Sequence, residues 1–169
     1  MITWEQIEAL DAKAPQGAFS SYDAEVLLPE VERLREGEVY LEIGVNLGKS
    51  LWLARQVAPK DTEVWGIDLL VDPGIPGARF IQGDSSQVAK AWDKPIGVLF
   101  IDGNHSYEGC KADIDNYYPH MAKGGVMLFH DCDATSPGVE EAVAEFAEEH
   151  DYEVFYSPNQ RCSMARIRL

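Results

Sequence analysis

The stretch Val39–Ser50, VYLEIGVNLGKS, decides how the chain is read. It opens with alternating and β-branched apolar residues, which predict a short buried strand. Gly44 breaks the run and Gly48 follows. KSLWLARQVA then sets Leu51, Ala54, Val57 and Ala58 at helical spacing. Strand, glycine-bearing turn and helix therefore succeed one another. Such a turn lets a ligand approach the backbone, and a helix start offers unpaired N–H groups to a polar or anionic group. The spacing from Glu42 to Gly48 is E-x-G-x-x-x-G, not the G-x-G-x-x-G that cradles a dinucleotide pyrophosphate. On these residues alone two readings stay open: a ligand site, or a tight strand-to-helix turn with glycines of convenience.

Working outward, the N-terminal side holds two helix patterns. Thr3 is an N-cap with Gln6 as its capping-box partner, and Trp4, Ile7 and Leu10 share a face until Pro15 and Gly17. A second helix starts near Ser21, with Ala24, Leu27, Leu28, Val31 and Leu34 on one stripe. A kink or break is expected at Pro29 and a stop at Gly37. These helices either cover the mouth of a site or pad the sheet.

On the C-terminal side, strands are expected at 62–68, 79–82, 96–101 and 126–129, with an antiparallel pair at 152–156 and 162–167. Only a proline- and glycine-rich linker, LLVDPGIPGA, joins the first two of these. Helices are expected at 85–92, at 107–121 with Cys110, Ile114, Tyr117, Tyr118 and Met121 inward and Gly124-Gly125 as its stop, and from Pro137 with Val139, Ala142, Val143 and Phe146 inward. Alternating strands and helices define an α/β chain with a mostly parallel sheet. No domain boundary is visible.

The 169 residues suffice for one domain with a substantial core. A net charge of −15 opposes nucleic acid, whose phosphates need a basic face, and an anionic membrane surface. Cys110, Cys132 and Cys162 are odd in number and widely spaced, without C-x-x-C. That favours free thiols in a reducing compartment over disulfides or a zinc site. With no secretory signal and no apolar run of membrane length, the expected location is cytoplasmic.

The polar residues fall in one topological place. Glu42 lies beside the glycine turn, Asp68 closes the next strand and Asp84 follows the short third one. Asp102 with His105 and His130 with Asp131 close the two after that. Ligands of open parallel sheets bind outside the carboxyl ends of the strands, so these groups should meet on one rim. A single Asp there is commonly a cap or turn former. Asp68 suits a ribose diol, and Asp84-Ser85 an adenine edge. Asp102 and Asp131 suit a hard divalent cation, and a nitrogen from His130 favours Mn²⁺, Fe²⁺ or Zn²⁺ over Mg²⁺. His105 is either a general base or a loop histidine that packs locally, and His130 either a ligand or a buried histidine bonded to backbone.

VYLEIGVNLGKS, VWGID, FIQGDSS, VLFIDGNHSYEGCKADI and KGGVMLFHD, in this order, resemble a class I S-adenosylmethionine-dependent methyltransferase. The I-D-G-x-H-x-Y segment followed by G-G-x-x-x-x-H-D is similar to the small-molecule group related to metal-dependent sugar and macrolide O-methyltransferases. The resemblance spans roughly Val39 to Asp131. It implies a Rossmann-like, doubly wound, seven-stranded sheet with an antiparallel C-terminal strand. Residues 1–37 would be N-terminal helices and 38–169 the core of a single domain. It implies cofactor contacts at Glu42, Gly44, Asn46, Gly48, Ser50 and Asp102, ribose at Asp68, and adenine near Asp84 and Ser85. It also implies Mg²⁺ or Mn²⁺ at Asp102, His130 and Asp131, with His105 as the base. The chain departs from those relatives at His130, where they carry a carboxylate, and it lacks their substrate-binding insertions. The acceptor would then be held by the N-terminal helices, by Cys132–Gly138, or by a neighbouring subunit in a homo-oligomer.

The expected function is O-methylation of a small hydroxylated molecule. Its rivals are metal-independent N- or C-methylation and a non-catalytic cofactor-binding domain.

Overall fold

A computed structural model describes residues 1–158 and 163–169. Two N-terminal helices, α1 (Trp4–Asp11) and α2 (Ser21–Glu32), precede β1 (Val39–Ile43). Then come α3 (Lys49–Val57), β2 (Val64–Asp68), β3 (Arg79–Gln82), α4 (Ser85–Ala89), β4 (Ile96–Ile101) and α5 (Tyr107–Tyr117). β5 (Met121–His130), α6 (Pro137–Phe146), β6 (Tyr152–Tyr156) and β7 (Ser163–Arg168) complete the order. The sheet runs β3-β2-β1-β4-β5-β7-β6. The pairs from β3 to β5 are parallel, and β7 is antiparallel to both β5 and β6. This is the Rossmann-like, doubly wound fold of class I methyltransferases.

Side-chain alternation along the strands builds both layers. Tyr40, Val98, Phe100, Val126 and Leu128 pack against α1, α2 and α3. Leu41, Ile43, Leu99, Ile101, Met127 and Phe129 pack on the opposite face with Cys110, Ile114 and Tyr117 of α5 and Val139 and Val143 of α6. The chain winds away from β1 toward β3 on one side and away from β4 toward β5 on the other. The crevice between the ends of β1 and β4 is thus the switch point at which open α/β sheets bind ligands.

Four local expectations change. First, of the kink or break expected at Pro29 the break does not occur: α2 continues through it, with Glu25, whose carbonyl loses its intrahelical partner, on the exposed side. Second, α5 ends at Tyr117, not at Met121, since Pro119 lacks an N–H and its ring crowds the preceding turn; a 3-10 turn, Tyr118–His120, follows. Tyr118 is accordingly exposed and not in the inner stripe. Third, Gly124-Gly125 are not a helix stop but part of β5. There the register against β4 jumps from Ile96↔Met121 to Val98↔Val126, and Gly124 takes φ +76°. Fourth, α4 stops at Ala89. The linker after β2 holds no helix among the described residues, as expected. Cys162 lies outside the described residues, and Cys110 and Cys132 are buried free thiols. No described helix is long and apolar enough to cross a membrane.

Candidate active site

The glycine turn is held by one carboxylate. Asp68 Oδ2 accepts from Val45 N at 2.7 Å and Asn46 N at 2.8 Å, and its Oδ1 accepts from Leu70 N at 2.8 Å. Gly44 and Gly48 have φ +87° and +84°, and Asn46 φ +49°. A Cβ on Gly44 would meet the Asp102 carbonyl oxygen at 2.1 Å, and one on Gly48 would meet Ile75 at 2.8 Å. Both glycines are therefore required by contacts within the chain, the first of them between the β1 and β4 ends.

Above this turn lies a cavity of about 460 Å³. Gly44, Asn46, Asp68, Asp84, Ser85 and Asp102 line it. Glu42, Gly48 and Ser50 do not, although direct contact was expected of them. Strand alternation points Glu42 to the α3 side with Tyr40, where Tyr40 Oη and Ser50 Oγ donate to its two oxygens at 2.7 and 2.6 Å. Burial pushes its carboxyl up to about 8, against the two hydroxyl donors and with help from the Asp102 and Asp68 charges. Gly48 sits beneath Ile75 and Pro73. Asp84 caps α4 through Ser86 N and Gln87 N while one side of it faces the cavity.

Asp113 is a cavity residue that sequence reasoning missed. It is buried, accepts from Ser85 Oγ at 2.5 Å, and burial raises its carboxyl to about 6. Its signal was available: an aspartate on the same helical stripe as Cys110, Ile114 and Tyr117.

Beside the cavity, the ends of β4 and β5 bring two aspartates and two histidines together. His105 Nε2 lies 3.4 Å from Asp102 Oδ1 and 3.7 Å from Asp131 Oδ2. His130 Nδ1 lies 3.4 Å from Asp102 Oδ1 and 3.3 Å from Asp131 Oδ2. Asp131 reaches this position with φ +53°. His130 is 4% exposed, and neither of its ring nitrogens makes a hydrogen bond. Burial works against its charged form, yet the surrounding carboxylates hold it far above the ordinary imidazole range. Burial likewise opposes ionisation of Asp102, but the two imidazoles beside it win and keep it below the usual carboxylate range. Asp102 raises His105. The donor set fits a divalent cation: Asp102, His105 and Asp131 each offer an atom within 4.8 Å of the others, and the buried, unbonded Nδ1 of His130 faces the same space.

A second missed residue stands behind His130. Asp23, in the first turn of α2, is 3% exposed, and its Oδ2 lies 3.5 Å from His130 Nε2. Phe19 packs on the His130 ring, with 5.9 Å between centroids. α2 and the residues just before it therefore reach the rim at the end of β5.

The methyltransferase domain family matches residues 41–132, more than half of the chain, and the chain belongs to that family. It is 28% identical to ribosomal RNA large subunit methyltransferase E of Azoarcus sp. (strain BH72), over 56% of either chain. The chain spans about half the length, or less, of the curated relatives it matches. Its fold is similar to that of an O-methyltransferase from Bacillus cereus solved with SAH: TM-score 0.71, 14% identity, 98% of this chain and 90% of that one. It is also similar to the MycE methyltransferase of the mycinamycin biosynthetic pathway, solved with Mg, SAH and mycinamycin VI: TM-score 0.70, 15% identity, 95% of this chain and 53% of that one.

Proposed function

We propose that this chain is an S-adenosylmethionine-dependent O-methyltransferase acting on a small hydroxylated molecule. One observation carries the reading: Asp102 belongs both to the cavity at the switch point and to the acid–histidine cluster. Methyl donor and acceptor would meet across that residue. Residues 38–169 are read as the core of one methyltransferase domain and 1–37 as its N-terminal helices.

The cavity volume lies in the range of small-ligand sites, and its Asp68, Asp84, Asp102 and Asp113 suit a cofactor with a sulfonium, an ammonium and a ribose diol. Asp68 has three oxygen lone pairs committed to backbone N–H groups, which leaves it one to accept from a ribose hydroxyl. The bound cofactor supplies a methyl group on a good leaving group. The protein's task is then alignment and removal of the acceptor's proton. His105, 42% exposed beside the cluster, is the group within reach of that proton. Of the four converging donors, Asp102, His130 and Asp131 would hold a divalent cation and leave the exposed His105 free for the proton; the cation would lower the pKa of a coordinated hydroxyl and fix its position.

The ribosomal RNA relative does not carry over its acceptor, because a net charge of −15 opposes a phosphate backbone. A second reading has a specific observation behind it. His130 among three carboxylates is also what a buried structural imidazolium looks like, and a metal-independent N- or C-methyltransferase would have one.

Release of S-adenosylhomocysteine, assayed over a panel of sugars and diols before and after chelation, tests the proposal. Acceptor-dependent release that chelation abolishes and Mn²⁺ or Mg²⁺ restores is expected. Release indifferent to chelation would assign metal-independent transfer. Cofactor binding with no release for any acceptor would favour a binding domain.

A further inference from the structure

His130 is buried with neither ring nitrogen hydrogen-bonded, and the structure sets a carboxylate behind it. Asp23 lies outside the matched family segment, on a helix that precedes the core. Its Oδ2 is fixed by Ser20, whose N and Oγ both donate to it at 2.7 Å. The same oxygen faces His130 Nε2 at 3.5 Å. An imidazole acting as a ligand has one N–H and one lone pair, and the group near one nitrogen decides which is which. Asp23 accepts only, so it holds the proton on Nε2. In the metal-free chain the ionised Asp102 and Asp131 hold a second proton on Nδ1 in the same way, and a cation bound between them would displace that proton and take the Nδ1 lone pair. That nitrogen faces Asp102 Oδ1 at 3.4 Å and Asp131 Oδ2 at 3.3 Å, neither of which donates when ionised. The two carboxylates and Nδ1 therefore converge on a place that takes either that proton or a metal cation.

We infer that Asp23 is a positioning residue: it fixes the Nε2–H tautomer of His130, presents Nδ1 to the cation, and so makes the cluster select a transition-metal dication over Mg²⁺. The inference rests on the metal role proposed above. Its physical basis is that Mg²⁺ prefers oxygen ligands and keeps its waters, whereas Mn²⁺, Co²⁺ and Zn²⁺ accept imidazole readily. α2 thereby acts in the chemistry of the rim as well as in the packing of the sheet.

The test is calorimetric titration of the metal-stripped full chain with Mn²⁺ and with Mg²⁺, S-adenosylmethionine affinity serving as the control for folding. Wild type is expected to bind Mn²⁺ at least about tenfold more tightly than Mg²⁺. Asp23→Asn keeps an oxygen for the Ser20 cap and removes the charge facing His130. It is expected to weaken Mn²⁺ binding by about 10- to 100-fold and to leave cofactor affinity within a few-fold. Ser20→Ala removes the cap hydroxyl but leaves the Asp23 charge and the Ser20 N–H that holds it, so its loss of Mn²⁺ affinity should be clearly smaller than that of Asp23→Asn. Equal losses in both variants would reduce Asp23 to a helix cap and overturn the inference. So would Mn²⁺ affinity unchanged in Asp23→Asn, with the metal role itself still standing. Wild type that binds neither ion would bring down the metal role as well, while leaving the cofactor reading intact. A measurement that needs no variant is nitrogen NMR of ¹⁵N-histidine-labelled wild type loaded with Zn²⁺. His130 should show a metal-bound Nδ1 and a protonated Nε2, and the reverse pattern would refute the tautomer assignment.

Discussion

The two halves of the rim are built on different terms. Around β1, β2 and β3 every carboxylate already has hydrogen-bond donors: Asp68 takes three backbone N–H groups, Glu42 two hydroxyls, Asp84 the start of α4. Around β4 and β5 the polar atoms face one another without such closure, and His130 is buried with both nitrogens unbonded. The first half is a finished cradle whose shape does not depend on what it holds. The second, on the function proposed above, is a set of donors that would close around a cation. A cradle tolerates the loss of one contact with a modest fall in affinity, whereas a convergent donor set fails when one member is neutralised.

This contrast is sharpest at Asp131. Asp131→Asn keeps a residue that tolerates φ +53° and removes the charge, so it is expected to cut turnover by about 10³-fold, equivalent to several kcal/mol of transition-state stabilisation, with cofactor affinity nearly unchanged. Turnover near wild type would break the division between the halves. His105→Ala should slow a single turnover by about 10²-fold or more. An unaltered single-turnover rate would remove His105 as the base.

On the cradle side the effects are on stability. Burial lifts Glu42 to about 8 from an ordinary 4.5, so the folded chain keeps a proton that the unfolded chain releases above 4.5. The contribution of this group is present in full below pH 4.5, declines as pH rises toward about 8, and is constant beyond. Glu42→Gln should therefore gain stability relative to wild type between pH 5 and 8.5, by an amount on the order of a few kcal/mol, in urea melts. Parallel pH courses for the two proteins would show that Glu42 ionises freely. The smallest effect is expected from Asp84→Ala, which removes the α4 cap and costs about 1 kcal/mol in a thermal melt.

The cradle was the more legible half in sequence, because strand periodicity and turn glycines are local signals. The reading of Val39–Ser50 gave strand, turn and helix correctly, and the acids at successive strand ends do gather on one rim. It erred on depth. Alternation sends Glu42 into the α3 layer, and Gly48 lies beneath Ile75 and outside the cavity that Gly44 lines. The other half depends on contacts distant in sequence. Asp23 and His130 are 107 positions apart, joined only when α2 packs over the end of β5, and nothing local to SYDAEVLL marks its aspartate as more than a capping-box residue. Asp113 was within reach, since an acid on an apolar stripe is itself a signal. The end of α5 was also within reach, through Pro119.

Titration of metal-free protein with S-adenosylmethionine, for wild type and Asp68→Ala side by side, tests the assignment of the cavity most directly. Micromolar binding by wild type is expected, weakened at least about tenfold in Asp68→Ala, which loses both its place under the glycine turn and its ribose acceptor. No heat with wild type, or equal affinity in the two proteins, would mean that the cavity at the β1–β4 switch point serves another ligand.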